Sequence, residues 1–157
     1  MKINQYLRLN DSDIHHKGVF ARRRIPKGVF LIEYVGTKLT KEESKKVEEQ
    51  HIENSNKDST KGAVYTFELN DEYDIDGDVS YNPAKYINHS CSPNCGIVYL
   101  NGKIFIASVK DIRKGEEISY SYGFGMKDYK KHRCRCGAKN CVGFILDKYH
   151  WNKIKKK

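Results

Sequence analysis

The residue types best suited to chemistry in this chain are its cysteines. Cys134, Cys136 and Cys141 form a C-x-C-x4-C cluster, and the upstream run Asn88-His89-Ser90-Cys91-Ser92-Pro93-Asn94-Cys95 carries two more thiols. Three thiolates so close together need one distant donor to complete a tetrahedral zinc site, so a metal there would pin the C-terminal segment onto the interior of the chain. Cys91 and Cys95 both qualify as that donor if the loop allows, and His132 is near enough in sequence to be considered. The odd cysteine count and the metal-like spacing favour a reducing compartment over a disulfide scaffold.

Elements that could position such a site are short and mostly β-like. Val29 to Val35 is rich in β-branched and aromatic residues and stops at Gly36, which predicts a strand. Val64 to Leu69 alternates as a half-buried strand does, Tyr73 to Asp76 precedes Gly77, and Ile118 to Tyr122 alternates up to Gly123. Gly96 to Leu100 and Lys103 to Ala107 flank Asn101-Gly102, the strongest two-residue hairpin signal. Thr40-Lys41-Glu42-Glu43 is a capping box that opens a charged, superficial helix to about Gln50, and residues 51 to 62 read as a mobile loop. At 157 residues this is material for one compact, mostly β domain with a metal-clipped C-terminus.

Composition narrows the function classes. Mean hydropathy is -0.75, and no run approaches the length of a membrane helix, so no membrane partner is expected. The N-terminus lacks the apolar run of a secretory signal, which points to an intracellular protein. The net charge of +9 lies in residues 127 to 157, which hold eleven of the 29 Lys/Arg, whereas the preceding sequence is balanced. Within it Glu68, Asp71, Glu72, Asp74, Asp76 and Asp78 form a purely acidic stretch. A basic end suits phosphate backbones, an acidic patch suits a Lys/Arg-rich peptide, and solvated surface charge accounts for either.

In order, Lys17-Gly18-Val19-Phe20-Ala21, Ile25-Pro26-Lys27-Gly28, Glu33-Tyr34-Val35-Gly36, Tyr81-Asn82-Pro83-Ala84-Lys85-Tyr86-Ile87-Asn88-His89-Ser90-Cys91 and Gly115-Glu116-Glu117-Ile118-Ser119-Tyr120-Ser121-Tyr122, followed by the cysteine cluster, span roughly residues 14 to 146. Together they resemble the SET domain with its post-SET zinc segment, the family of S-adenosylmethionine-dependent protein lysine methyltransferases. The resemblance implies the β-clip or SET fold: small β-sheets around a pseudoknot in which the Asn88-His89 segment and the Tyr122 strand cross, one or two short helices, and a zinc-bound C-terminal segment. It divides the chain into a SET domain at 1–125, a post-SET zinc segment at 126–148 and a basic tail at 149–157. The implied cofactors are S-adenosylmethionine and Zn2+.

Site residues follow from the same resemblance. Tyr122 matches the catalytic tyrosine, and Tyr34, Phe67, Tyr120 and Tyr122 match the lining of the lysine channel, with Tyr65 beside them on the substrate side. Asn88 and His89 match the pair that contacts the methyl donor. The backbone around Lys17, Gly18 and Val19 approaches its methionine portion, and Tyr34, Tyr86, Tyr122, Cys136 and Phe144 complete that site. His16 stands where the family carries the first glycine of G-x-G. The resemblance selects Cys91 with Cys134, Cys136 and Cys141 as zinc ligands, leaving Cys95 a small buried residue. A tyrosine at 120, where the family alternates Phe and Tyr, implies mono- or dimethylation. The expected partner is a protein with a basic Lys-containing segment, such as a histone tail, in the nucleus or on chromatin, a host's if the protein is bacterial or viral. The basic C-terminus would touch nucleosomal DNA. Two competing readings are a catalytically inactive SET module serving as a peptide or chromatin scaffold, and a nucleic-acid-binding zinc protein. The role of Trp151, stacking on a ligand or capping the tail, stays open.

Overall fold

Short alternating runs bounded by glycine and polar turns build short strands, and the fold is four small sheets rather than one large one. The computed structural model describes residues 4–58, 62, 64–127 and 129–154. Strands β1 (Leu7–Asp11) and β2 (Lys17–Ala21) form an antiparallel pair. A second sheet has β3 (Phe30–Tyr34) beside β9 (Lys103–Ser108), which in turn pairs with β8 (Cys95–Leu100). In the third, β6 (Tyr73–Asp76) lies between β4 (Thr37–Thr40) and β5 (Thr66–Glu68). The fourth is the smallest: β7 (Asn88–His89) and β10 (Ser119–Tyr120) run parallel, with Asn88 opposite Ser119 and His89 opposite Tyr120.

Local signals behave as physics requires. Asn101 and Gly102 adopt φ of 52° and 69°, the left-handed pair that lets β8 and β9 twist together across a two-residue turn. At helix α1 (Lys41–Lys57), the Thr40 side chain accepts from the Glu43 N–H while the Glu43 carboxylate accepts from the Thr40 N–H.

Two expectations need correction. Helix α1 does not stop near Gln50 but runs to Lys57, so most of the predicted loop is helical; Ser59, Thr60 and Lys61 lie outside the described residues. Tertiary anchoring accounts for the extension: His51 Nε2 meets Asp76 Oδ1 at 3.1 Å on β6, and Thr66 bonds the Glu48 carboxylate. These contacts outweigh the weak helix preference of Asn54-Ser55-Asn56. The strand expected over residues 118 to 122 is paired only at Ser119–Tyr120, because its partner β7 is itself two residues long. The β1–β2 pair was not anticipated, although Leu7-Arg8-Leu9 alternates.

One main core joins the sheets. Leu7, Val19, Ile25, Leu31, Ile87, Ile104, Ile106, Ile112 and Ile118 are almost fully buried in it, together with Tyr34, Tyr120 and Cys95. A smaller cluster of Cys91, Leu146 and Trp151 sits apart, flanked by Cys134, Cys136, Cys141 and Ile154. Trp151 belongs to a short helix, α2 (Trp151–Ile154), and its indole N–H donates to the Leu146 carbonyl at 3.0 Å. Its ring therefore caps the cysteine segment instead of standing in a free tail.

Candidate active site and metal centre

Tyr122 lies two residues past the end of β10, and the parallel β7–β10 pair brings it against the Asn-His segment. Its backbone N–H donates to His89 Nδ1 at 3.2 Å, and its hydroxyl donates to the Ile87 carbonyl at 3.0 Å. Asn94 braces this crossing: it donates to the Glu117 carbonyl at 2.7 Å and accepts from the Ser119 N–H at 2.9 Å. Because His89 Nδ1 accepts a bond, its proton sits on Nε2, 3.5 Å from Cys91 Sγ. Burial lowers the His89 pKa to about 4, so the imidazole is neutral near pH 7.

Two cavities meet at Tyr122. The larger, about 530 Å³, is lined by Lys17, Tyr65, Tyr86, Asn88, His89 and Tyr122 among others, with Cys134, Arg135 and Ile145 on its C-terminal side. The smaller, about 190 Å³, is an aromatic channel walled by Tyr34, Tyr65, Phe67, Tyr120 and Tyr122. Val64, Tyr65, Lys85, Tyr122 and Phe124 line both, so they mark the junction. The rings pack in sequence: Tyr34 on Phe67 at 4.3 Å between centroids, Phe67 on Tyr120 at 5.6 Å, Tyr120 on Tyr122 at 5.0 Å. Burial raises the phenol pKa of Tyr34, Tyr120 and Tyr122 well above the ordinary value, which keeps these three rings neutral. Tyr34 donates its hydroxyl to the Tyr65 carbonyl at 2.7 Å, and only a glycine at 77 leaves room for that phenol.

Several expected residues occupy other places. Gly18 and Val19 do not line the large cavity, and Gly18 is needed because a side chain there would collide with the Glu117 carboxylate. That carboxylate, which the sequence reading passed over, accepts from Asn88 Nδ2 at 2.7 Å and from Ser12 Oγ at 2.8 Å, and so orients Asn88. Tyr34 lines the channel alone. Phe144 is turned onto Tyr129, at 5.1 Å between centroids, and under the Arg133 guanidinium, so Ile145 rather than Phe144 faces the cavity. His16 does line it, at φ of 32°, keeping the positive φ that a glycine would supply.

The four thiols of Cys91, Cys134, Cys136 and Cys141 converge, with all sulfur atoms within 4.8 Å of one another. A tetrahedral zinc with bonds of about 2.3 Å spaces its sulfurs at roughly 3.8 Å. Cys91 Sγ lies 3.9 Å from Cys134 Sγ and 3.7 Å from Cys141 Sγ, so the donor set fits. Cys95 is buried in the main core instead, and His132 stacks on Phe124. Burial pushes the Cys91 and Cys134 thiols up. Burial also opposes ionisation of Cys136, but the Cys91 and Ala138 N–H groups outweigh it and bring that thiol down to about 7. Backbone N–H bonds to Cys136 and Cys141 sulfurs, both 3.4 Å, are the outer contacts that orient thiolate ligands.

Of the six acidic residues in the stretch from Glu68 to Asp78, four have a basic partner in the chain, Glu68 only by sharing the Lys41 that Asp74 holds more closely. Asp74 holds Lys41 at 2.6 Å, Asp76 holds His51, and Asp78 holds Lys85 at 2.9 Å. The stretch is therefore not one open acidic face.

Small sheets around a two-strand parallel crossing, with a thiol cluster clamping the C-terminal segment beside the cavity, define a SET-type fold. The family model for the SET domain matches residues 16–123, and the chain belongs to that family. It is 37% identical over 135 residues to histone-lysine N-methyltransferase 2D of Homo sapiens, covering 83% of this chain and 2% of that protein. It is 39% identical over 144 residues to histone-lysine N-methyltransferase ATXR7 of Arabidopsis thaliana, covering 89% and 10%. An H3 lysine-4 specific histone-lysine N-methyltransferase of Schizosaccharomyces pombe is 34% identical over 143 residues, covering 88% and 15%. The chain thus spans only a small part of each of these relatives.

Proposed function

We propose that the chain is an S-adenosylmethionine-dependent protein lysine N-methyltransferase acting on histone lysine, with mono- and dimethylation as its products. The observation that carries this reading is the junction of a large cavity and an aromatic channel at Tyr122. S-adenosylmethionine, bound in the large cavity, supplies an activated methyl group on a sulfonium. Lys17, Tyr86, Asn88 and His89 would hold it. Asn88 directs its amide N–H groups to Glu117 and the Lys17 carbonyl, which leaves its side-chain oxygen for a ligand.

The channel's own residues do the rest. A free lysine amine is only about 0.1% neutral at pH 7.4. Stripping water from it among Tyr34, Phe67, Tyr120 and Tyr122 disfavours the ammonium form and raises the neutral fraction. Tyr122 is the catalytic residue that orients the amine at the junction, with Tyr34 and Tyr65 shaping the wall. The Tyr120 hydroxyl occupies space that successive methyl groups would need. Cys91, Cys134, Cys136 and Cys141 would hold a zinc ion that ties the 126–148 segment to the body and keeps Ile145 at the large cavity. Lys127, Lys130, Arg133, Arg135 and Lys139 in that segment, with the basic end at 149–157, suit phosphate contacts on nucleosomal DNA. Chromatin is the place of action that fits these partners.

The test is transfer of labelled methyl groups to a panel of core histones, basic bacterial proteins and the protein itself, with Tyr122→Phe as control. Labelling of histone that the Tyr122→Phe protein fails to give is the expected outcome; no labelling of any protein overturns the reading. Greater salt sensitivity on nucleosomes than on free histone peptide would mark the DNA contact.

A further inference from the structure

The channel has two chemically different ends. Its inner end carries Lys85, matched by Asp78, and adjoins the large cavity. Its outer end carries Glu68 and Tyr99, neither of which touches the large cavity, and Glu68 is the only carboxylate among the described residues that line the channel.

Glu68 keeps an uncompensated charge. A single ammonium, Lys41, serves both Asp74 at 2.6 Å and Glu68 at 3.6 Å, so two carboxylates share one cation. The Asp74 side chain is 13% exposed and the Glu68 side chain 74%, which leaves the surplus negative charge on the residue that faces solvent. Tyr99 is also open, at 56% exposure, although large aromatic side chains are commonly covered. The two are neighbours in the field: burial raises the Tyr99 phenol first, the Glu68 carboxylate raises it further, and the Lys41 ammonium offsets part of that rise. A carboxylate beside an exposed ring is the combination that holds a guanidinium, through a charge-assisted bond to one and a cation–π contact with the other.

We propose that Glu68 and Tyr99, at the outer mouth of the channel, form a subsite for the guanidinium or ammonium side chain of a residue flanking the methylated lysine. This rests on the reading of the channel as the lysine channel. It assigns selection of a basic sequence context to one carboxylate, whereas Asp74, Asp76 and Asp78 hold the sheet and helix α1 together.

Short synthetic peptides with one central lysine, carrying Arg, Gln or Glu close to it on either side, provide the probe. Methyl transfer from labelled S-adenosylmethionine gives kcat/KM, and fluorescence anisotropy of the same peptides gives binding without catalysis. The unmodified protein should prefer an Arg-flanked peptide over its Gln counterpart by about fivefold, the size expected of an exposed ion pair with a cation–π contact. Glu68→Gln should bring the ratio close to one, Tyr99→Leu should lower it by about half, and Glu68→Arg should turn the preference toward the Glu-flanked peptide. Methylation or binding without an Arg preference, or a preference that survives Glu68→Gln, overturns the subsite. Binding that discriminates as described with no methyl transfer keeps the subsite and removes the methyltransferase reading instead. Neither binding nor transfer for any peptide overturns both.

Discussion

The main body and the cysteine segment of this molecule solve the same problem, ordering a short chain, by different means. The body orders itself by burying aliphatic and aromatic side chains from strands far apart in sequence, with Leu7, Ile25, Ile106 and Ile118 in one core. Residues 129 to 154 bury little: Leu146 and Trp151 are their only buried side chains, and they pack in one small cluster with the four cysteines. Apolar burial stabilises the first without help, while a few buried side chains cannot offset the chain entropy of the second. A metal bound to the four thiols would close that gap. The large cavity has walls from both regions, so donor binding would depend on the weaker one.

Tests of that contrast run from a large effect to a small one. Tyr122→Phe should lower methyl transfer about 100-fold or more, since it removes the hydroxyl at the junction, while losing the bond to the Ile87 carbonyl should lower the melting temperature only modestly, by the equivalent of about 1 kcal/mol. A chelator, or Cys136→Ser, should abolish transfer and expose residues 126 to 154 to protease, while the circular dichroism of the sheets persists. If the whole body unfolds instead, the two regions are not independent. Trp151→Ala should cost the small cluster about 3 kcal/mol and speed metal release to a chromogenic chelator, without altering the main sheets.

The body has its own signature in alkali. Tyr34, Tyr120 and Tyr122 have folded pKa values above the ordinary 10.0 because of burial. Unfolded phenols release their protons first as pH rises, so the stability these neutral groups contribute is complete below pH 10 and declines above it. The melting temperature should therefore fall above pH 10, and absorbance at 295 nm should show these three of the eleven tyrosines silent until unfolding. Mass spectrometry of the products measures the smallest change: Tyr120→Phe should shift them toward trimethylation with the overall rate altered only a few-fold, and efficient trimethylation by the unmodified protein would refute the role given to that hydroxyl.

What could be read from the chain alone was whatever neighbours in sequence decide. The Thr40 capping box, the Asn101-Gly102 turn and the C-x-C-x4-C spacing each depend on a few adjacent residues, and each stands in the structure as its local chemistry dictates. The ordered motifs also revealed the family. Tertiary structure alone decided which groups from distant segments meet. It put Cys91, which residue spacing leaves open against Cys95 and only the family resemblance selects, with the C-terminal thiols, carried α1 past Gln50 through the His51–Asp76 contact, and turned Phe144 away from the cavity. It also gave Asp74 and Asp78 lysine partners and Asp76 a bond to His51, in a stretch whose charges look alike in a row, leaving Glu68 facing solvent. The reason is physical: a capping or turn preference is a short-range energy, whereas a side chain's partner is fixed by the packing of the whole fold.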